Sequence, residues 1–191
     1  MTMCGTFECR RCGKCCEGRG GIVVGERDLI RLADHFAVAP ERFLERYTEM
    51  LGGKPCLLTG SDGACLFFKA GFGCGIHPVR PDVCRAWPFF RGNLIDSISF
   101  EMAREDCPGI SRTCGHSRFA HEGYAYLAEN GLLGSDPSRD GRALIVSPDE
   151  LPPEDDAQPA PRGKKHSPGA SPDGGSTAGS NFKHSYPGDN R

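Results

Sequence analysis

The sequence predicts an α+β fold: a small domain of helices packed around irregular cysteine-rich loops and short strands, with a disordered C-terminal tail. Three observations carry that expectation. Eleven of 191 residues are cysteine, several times ordinary usage. Apolar residues recur at helical spacing in separate stretches, interrupted by loops rich in Gly, Pro and Cys. Beyond Gly134 the composition shifts to Pro, Gly, Ser and Asp with almost no aromatics, so that stretch cannot bury enough apolar area to offset the entropy of ordering. The chain therefore divides into a cysteine-cluster domain over 1–133 and a mostly disordered tail over 134–191.

The first element is Cys9-x2-Cys12-x2-Cys15-Cys16, four cysteines in eight residues. A C-x2-C turn brings two thiolates to one ion, with zinc–sulfur bonds of roughly 2.3 Å. The same spacing opens the cysteine runs of iron–sulfur proteins. Adjacent side chains diverge on a strand or helix, so Cys15 and Cys16 suit two sites better than one. Ile22-Val23-Val24 follows Gly18, Gly20 and Gly21 as a short strand. Glu26 and Asp28 open a helix whose apolar face is Leu29, Leu32, Ala33 and Phe36. Pro40 starts a second helix with the stripe Phe43, Leu44, Tyr47 and Leu51, ended by Gly52-Gly53.

Leu57-Leu58 and Leu66-Phe67-Phe68 read as short strands flanking the turn Gly60-Ser61-Asp62-Gly63, with Cys65 and Cys74 bracketing the second. Pro78, Pro81 and Pro88 predict a stiff loop in place of a regular helix around Cys84. Asn93 to Glu105 reads as partly helical, ending at Cys107-Pro108-Gly109. A last helix runs from about Ser117, with Phe119, Gly123, Tyr126 and Leu127 inward, and stops at Asn130-Gly131. Leu144-Ile145-Val146 is the one piece of the tail able to dock.

Composition narrows the function classes. Net charge is −2, which supplies no overall field toward nucleic acid or membrane. No run approaches the roughly 18–20 apolar residues of a membrane span, and Met1-Thr2-Met3-Cys4 leads into the cysteines without a signal peptide. The expected location is cytoplasmic, where thiols stay reduced and dense cysteines mean metal more often than disulfides. The odd cysteine count also argues against a fully paired disulfide framework. No Ser-His-Asp set, carboxylate pair or phosphate-cradling loop is present, and Gly18-Arg19-Gly20-Gly21 lacks the setting of a dinucleotide loop.

The order Cys9-x2-Cys12-x2-Cys15-Cys16, Cys65…Cys74, Arg80-Pro81-x2-Cys84-Arg85-x2-Pro88 and Cys107-Pro108-Gly109 resembles the YkgJ-type cysteine-cluster family, a family of zinc- or iron-chelating domains. The resemblance spans about residues 7 to 133. It implies Cys9, Cys12, Cys15, Cys16, Cys65, Cys74, Cys84 and Cys107 as metal ligands, with His77 a further candidate at a place where many members carry Tyr. Cys4, Cys56 and Cys114 lie outside the pattern and read as ordinary thiols. Eight thiolates make two four-cysteine sites, and the spacing leaves open which four share an ion and whether the metal is zinc, iron or an iron–sulfur cluster.

Four thiolates around a divalent ion carry a net −2, which nearby cations must offset. Arg80 and Arg85, held between prolines beside Cys84, are the candidates, and Arg10, Arg11 and Lys14 are placed to help. Trp87-Pro88-Phe89-Phe90 reads as an apolar wall over the site. The reading that follows is a cytoplasmic chelating protein that binds metal ions and expects no nucleic acid or membrane. The alternative is an iron–sulfur-assisted methyl-transfer enzyme, since flagellin lysine N-methylases share the cysteine signature. A nucleic-acid-binding zinc ribbon ranks last.

Overall fold

The computed structural model describes residues 5–17, 21–136 and 141–154. The architecture is α+β, with six helices and two two-stranded antiparallel sheets among the described residues. Coil leads from Gly5 to a 3-10 turn at Lys14–Cys16. Helix α1 (Glu26–Phe36) buries Leu32 and Ala33, and α2 (Pro40–Tyr47) buries Phe43 and Tyr47. Phe36 stacks on Tyr47 at 5.1 Å and on Phe67 at 5.5 Å between ring centroids, and these rings with Phe43 form one apolar cluster.

The second helix is shorter than its apolar stripe predicts. Thr48–Leu51 is strand β1, paired with β2 (Lys54–Leu57) in the register Thr48↔Leu57 to Leu51↔Lys54. The reason is the turn between them. Gly52 and Gly53 both take positive φ, 58° and 79°, the conformation of a tight two-residue hairpin. Leu51 consequently points away from the core. The expected strand Ile22-Val23-Val24 appears as an addition to this hairpin: Leu57 N–H donates to Ile22 O and Val24 N–H to Pro55 O, at 2.9 and 2.8 Å.

Strands β3 (Phe68–Lys69) and β4 (Gly73–Cys74) make a second, minimal hairpin. The proline-rich stretch is not wholly irregular. Pro81 N-caps a short helix α3 (Asp82–Ala86), because proline obstructs only what precedes it and suits a helix entrance. The helix expected over 93–105 is two helices, α4 (Arg91–Ile95) and α5 (Ser97–Asp106), separated by Asp96, whose carboxylate accepts from Ser99 N–H at 2.7 Å. Helix α6 (His116–Glu129) lies against them. Phe89, Leu94, Phe100, Phe119 and Leu127 are buried there in a second and larger apolar core.

Beyond residue 133, Leu144 and Val146 are buried in that core, so the stub singled out from the sequence does dock. Packing continues past it, within the stretch 134–191 expected to be mostly disordered. Pro148–Glu150 forms a 3-10 turn, Arg91 pairs with Glu150, and the Ser117 hydroxyl donates to Pro153 O at 2.8 Å. The disorder expected for the remainder of the tail concerns residues 155–191, outside the described residues. No helix of the described residues is long and apolar enough to cross a membrane.

Candidate metal centre

Five separate segments bring their cysteines to one cavity of about 60 Å³. Cys9, Cys12, Cys15, Cys16, Cys65, Cys74, Cys84 and Cys107 all line it. It draws apolar lining from both sides, Leu57 and Ile76 on one and Phe7 and Trp87 on the other. Its size suits an inorganic centre, since pockets for organic ligands run from about 300 Å³ upward. All ten described cysteines are free thiols.

Backbone contacts explain how each segment is placed. Gly13 takes φ 85° and passes so close to Phe68 that a Cβ there would sit 2.2 Å from the ring, which only glycine permits. Its carbonyl accepts from Cys16 N–H at 2.7 Å and closes the 3-10 turn. Cys65 N–H donates to Cys16 O at 2.8 Å, and Phe68, which pairs with Cys74, donates its N–H to Cys65 O at 2.8 Å. Glu8 N–H donates to Gly109 O at 2.9 Å and Phe7 bridges Ile110, which sets the start of the motif beside Cys107.

Cys84 is placed from a distance. The buried Asp28 of α1 accepts from Asp82 N–H, at the first turn of α3, at 2.9 Å. Arg31, one turn further along α1, donates to Asp28 at 2.5 Å, to Asp82 at 3.0 Å and to the carbonyls of Val79 and Arg80 at 3.3 and 3.1 Å. Burial and the neighbouring Asp82 push the Asp28 carboxyl up, against the pull of two N–H donors and Arg31. Sequence reasoning gave α1 no part in the site. The only signal was an Asp and an Arg three residues apart, the usual pattern of a solvated helix face.

The thiols sense one another. Cys15, Cys65, Cys74 and Cys84 interact electrostatically in every pairing. Burial raises the pKa of Cys65, Cys74 and Cys84, most strongly at Cys84. Cys15 and Cys16 sit side by side in the 3-10 turn, and both line the cavity. The tight turn lets the Cys16 thiol hydrogen-bond to Cys15, which lowers Cys15 to about 7 and holds the Cys16 proton in place. Among the described residues, no three His, Cys, Asp or Glu side chains stand close enough to hold an ion as they are. The donor set itself, eight thiols around one small space, fits thiophilic ions.

Of the residues expected to support the site, Arg80 is in place. It lines the cavity, its Nη1 donates to His77 Nε2 at 2.9 Å and to His77 O at 3.0 Å, and its charge favours the thiolates of Cys15, Cys74 and Cys84. His77 also lines the cavity, with Nε2 3.8 Å from Cys9 Sγ. Burial, then Arg80 and Arg11, hold its pKa down, so the imidazole is neutral. Arg85 is placed elsewhere: it donates to Asp82 at 3.1 Å and does not line the cavity. Arg10, Arg11 and Lys14 do. Trp87 is part of the wall, while Phe89 stands behind it in the larger core. Cys56 and Cys114 are buried away from the cavity, and Cys4 lies outside the described residues.

The family model CxxCxxCC, described as "Putative zinc- or iron-chelating domain", matches residues 8–108, from just before Cys9 to just after Cys107. Neither the curated proteins nor the solved structures give a match. Because the matched stretch is more than half of the chain and ends on the first and last of the cavity's cysteines, the chain belongs to the CxxCxxCC family of zinc- or iron-chelating domains.

Proposed function

We propose that the protein chelates zinc or iron through two four-thiolate sites within the one cavity, as a module for holding or passing on metal without catalysis of its own. The observation that carries this is the convergence of eight cysteines from five segments on a space too small for an organic ligand. The influence of Cys15, Cys16, Cys65, Cys74 and Cys84 on one another supports a shared thiolate centre. Arg80 offsets part of the negative charge, while Arg85 acts through Asp82. Free thiols in this number suit a reducing compartment such as the cytoplasm.

The test is metal and acid-labile sulfide analysis of anaerobically prepared full chain. About two zinc per chain without sulfide indicates mononuclear sites, and iron with sulfide indicates clusters. Eight cavity thiols that all react with iodoacetamide in a preparation carrying neither metal would end the proposal.

One observation favours a second reading. A groove of about 710 Å³ adjoins the cavity, shares Cys15 and Cys84 with it, and is of organic-ligand size. Iron–sulfur-assisted methyl transfer would use it for S-adenosylmethionine. Saturable binding heat with that compound would favour the enzyme, and its absence the chelator.

A further inference from the structure

The cavity is lopsided. Cys65 and Cys107 are buried and Cys74 and Cys84 half-buried, whereas Cys9, Cys12 and Cys15 are exposed. Cys9 and Cys12 belong to a coil whose backbone hydrogen bonds lie at its ends, with the Cys9 thiol beside His77 and Arg11 beside Gly73 between them. Upstream, Glu8 is tied to Gly109; downstream, Cys16 is tied to Gly13 and to Cys65. Between these anchors, among the described residues, no backbone hydrogen bond holds Cys9, Arg10, Arg11 or Cys12. A segment with solvated backbone and pinned ends opens at little free-energy cost.

The same coil carries Arg10 and Arg11, both exposed and both at the cavity. Neither guanidinium is hydrogen-bonded or ion-paired among the described residues. The nearest acidic neighbours in the chain are Glu8 and Glu17, and Glu17 is engaged by Lys14 at 3.2 Å. A planar guanidinium recognises a carboxylate by two parallel hydrogen bonds, and two in succession favour a ligand with clustered carboxylates.

Building on the chelation reading above, we propose that Cys9–Cys12 is the port through which metal is exchanged, and that Arg10 and Arg11 receive there a polycarboxylate metal ligand. The exchange is a ligand substitution. Each metal–sulfur bond broken at Cys9 or Cys12 is replaced by a metal–oxygen bond from a carboxylate. The freed thiolate takes a proton from solvent, and no electron moves. The buried thiols keep the remaining bonds until the acceptor has closed around the ion.

The test uses full chain loaded with zinc to measured stoichiometry, and follows zinc transfer to EDTA, a polycarboxylate, and to a neutral hexadentate pyridyl chelator. In the Arg10→Glu/Arg11→Glu variant, transfer to EDTA slows about tenfold, while transfer to the neutral chelator changes by under about twofold. Added salt erases the wild-type preference for EDTA. The milder Arg10→Gln/Arg11→Gln variant falls between and serves if the first loads poorly. Citrate and hexaglutamate, run as separate acceptors, tell a small chelator from an acidic protein surface as the source of the carboxylates. Hydrogen exchange of the zinc-loaded chain gives an independent readout: fast amides at 9–12 and protected ones at Cys16 and Cys65. Equal slowing toward both chelators, or slow exchange at 9–12, overturns the port and leaves chelation standing. A chain that binds no zinc or iron overturns both.

Discussion

Asp28 is 4 % exposed and accepts from three donors in three places: Gly25 N–H, Arg31 and Asp82 N–H. Its position decides where α3 starts, and so where Cys84 points. Asp28→Ala leaves the Asp82 N–H and part of Arg31 without their acceptor, at a cost of about 2 kcal/mol. Urea unfolding of the metal-free chain measures that loss, and Asp28→Asn, which keeps one acceptor oxygen, should show a smaller one. Because Cys84 is displaced, Asp28→Ala also binds metal less tightly in a competition titration. At this scale Cys9, Cys12, Cys15 and Cys16 stand out because their spacing is local and chemically specific, whereas Cys65, Cys74, Cys84 and Cys107 are marked by the family resemblance. Asp28 was not legible, since a buried acceptor and a solvated acidic residue look alike until the segment that donates to it is known. Arg85, expected beside Cys84, pairs with Asp82 at 3.1 Å.

Among the elements, α1 and α6 were readable because each buries a stripe at helical spacing. The stripe misled at Leu51, where the turn chemistry of Gly52-Gly53 outweighs periodicity and makes a hairpin. The break between α4 and α5 was missed because Asp96 is an acceptable residue in either role. Its carboxylate is held below the usual range by hydrogen bonds from Ser99, first the backbone and then the side chain. A depressed carboxyl pKa supports the folded state above the ordinary carboxylate range and ceases to do so as pH falls through the depressed value. Acid titration followed by hydrogen exchange in α5 should therefore show its first turn opening before α6 does. Asp96→Asn caps the helix without titrating, so this acid sensitivity should disappear in that variant.

The molecule as a whole has two kinds of interior. The half built on α4, α5 and α6 encloses Phe89, Leu94, Phe100, Phe119 and Leu127 in an apolar core. The other half has the ring cluster of Phe36, Phe43, Tyr47 and Phe67 beside the first hairpin, and the turn at Lys14–Cys16, the second hairpin and α3 around the cavity. Stripping the metal with a chelator should remove hydrogen-exchange protection at Cys16, Cys65, Gly75 and Cys84 while α5 and α6 keep most of theirs. Uniform loss across both halves would show that the metal supports the larger core as well. The sequence foretold stapled loops but understated the apolar half, since α4 and α5 lie in a stretch with no clean period.

The pairing of Phe7 with Ile110 sets the two ends of the family's matched stretch side by side. During synthesis at about 5–20 residues per second, the opening thiols leave the ribosome roughly 5–20 seconds before Cys107 and its neighbours follow. For that interval the nascent chain presents naked sulfur with no clasp to shut over it. Closure of the cavity thus waits until Cys107 and the chain as far as Ile110 have emerged.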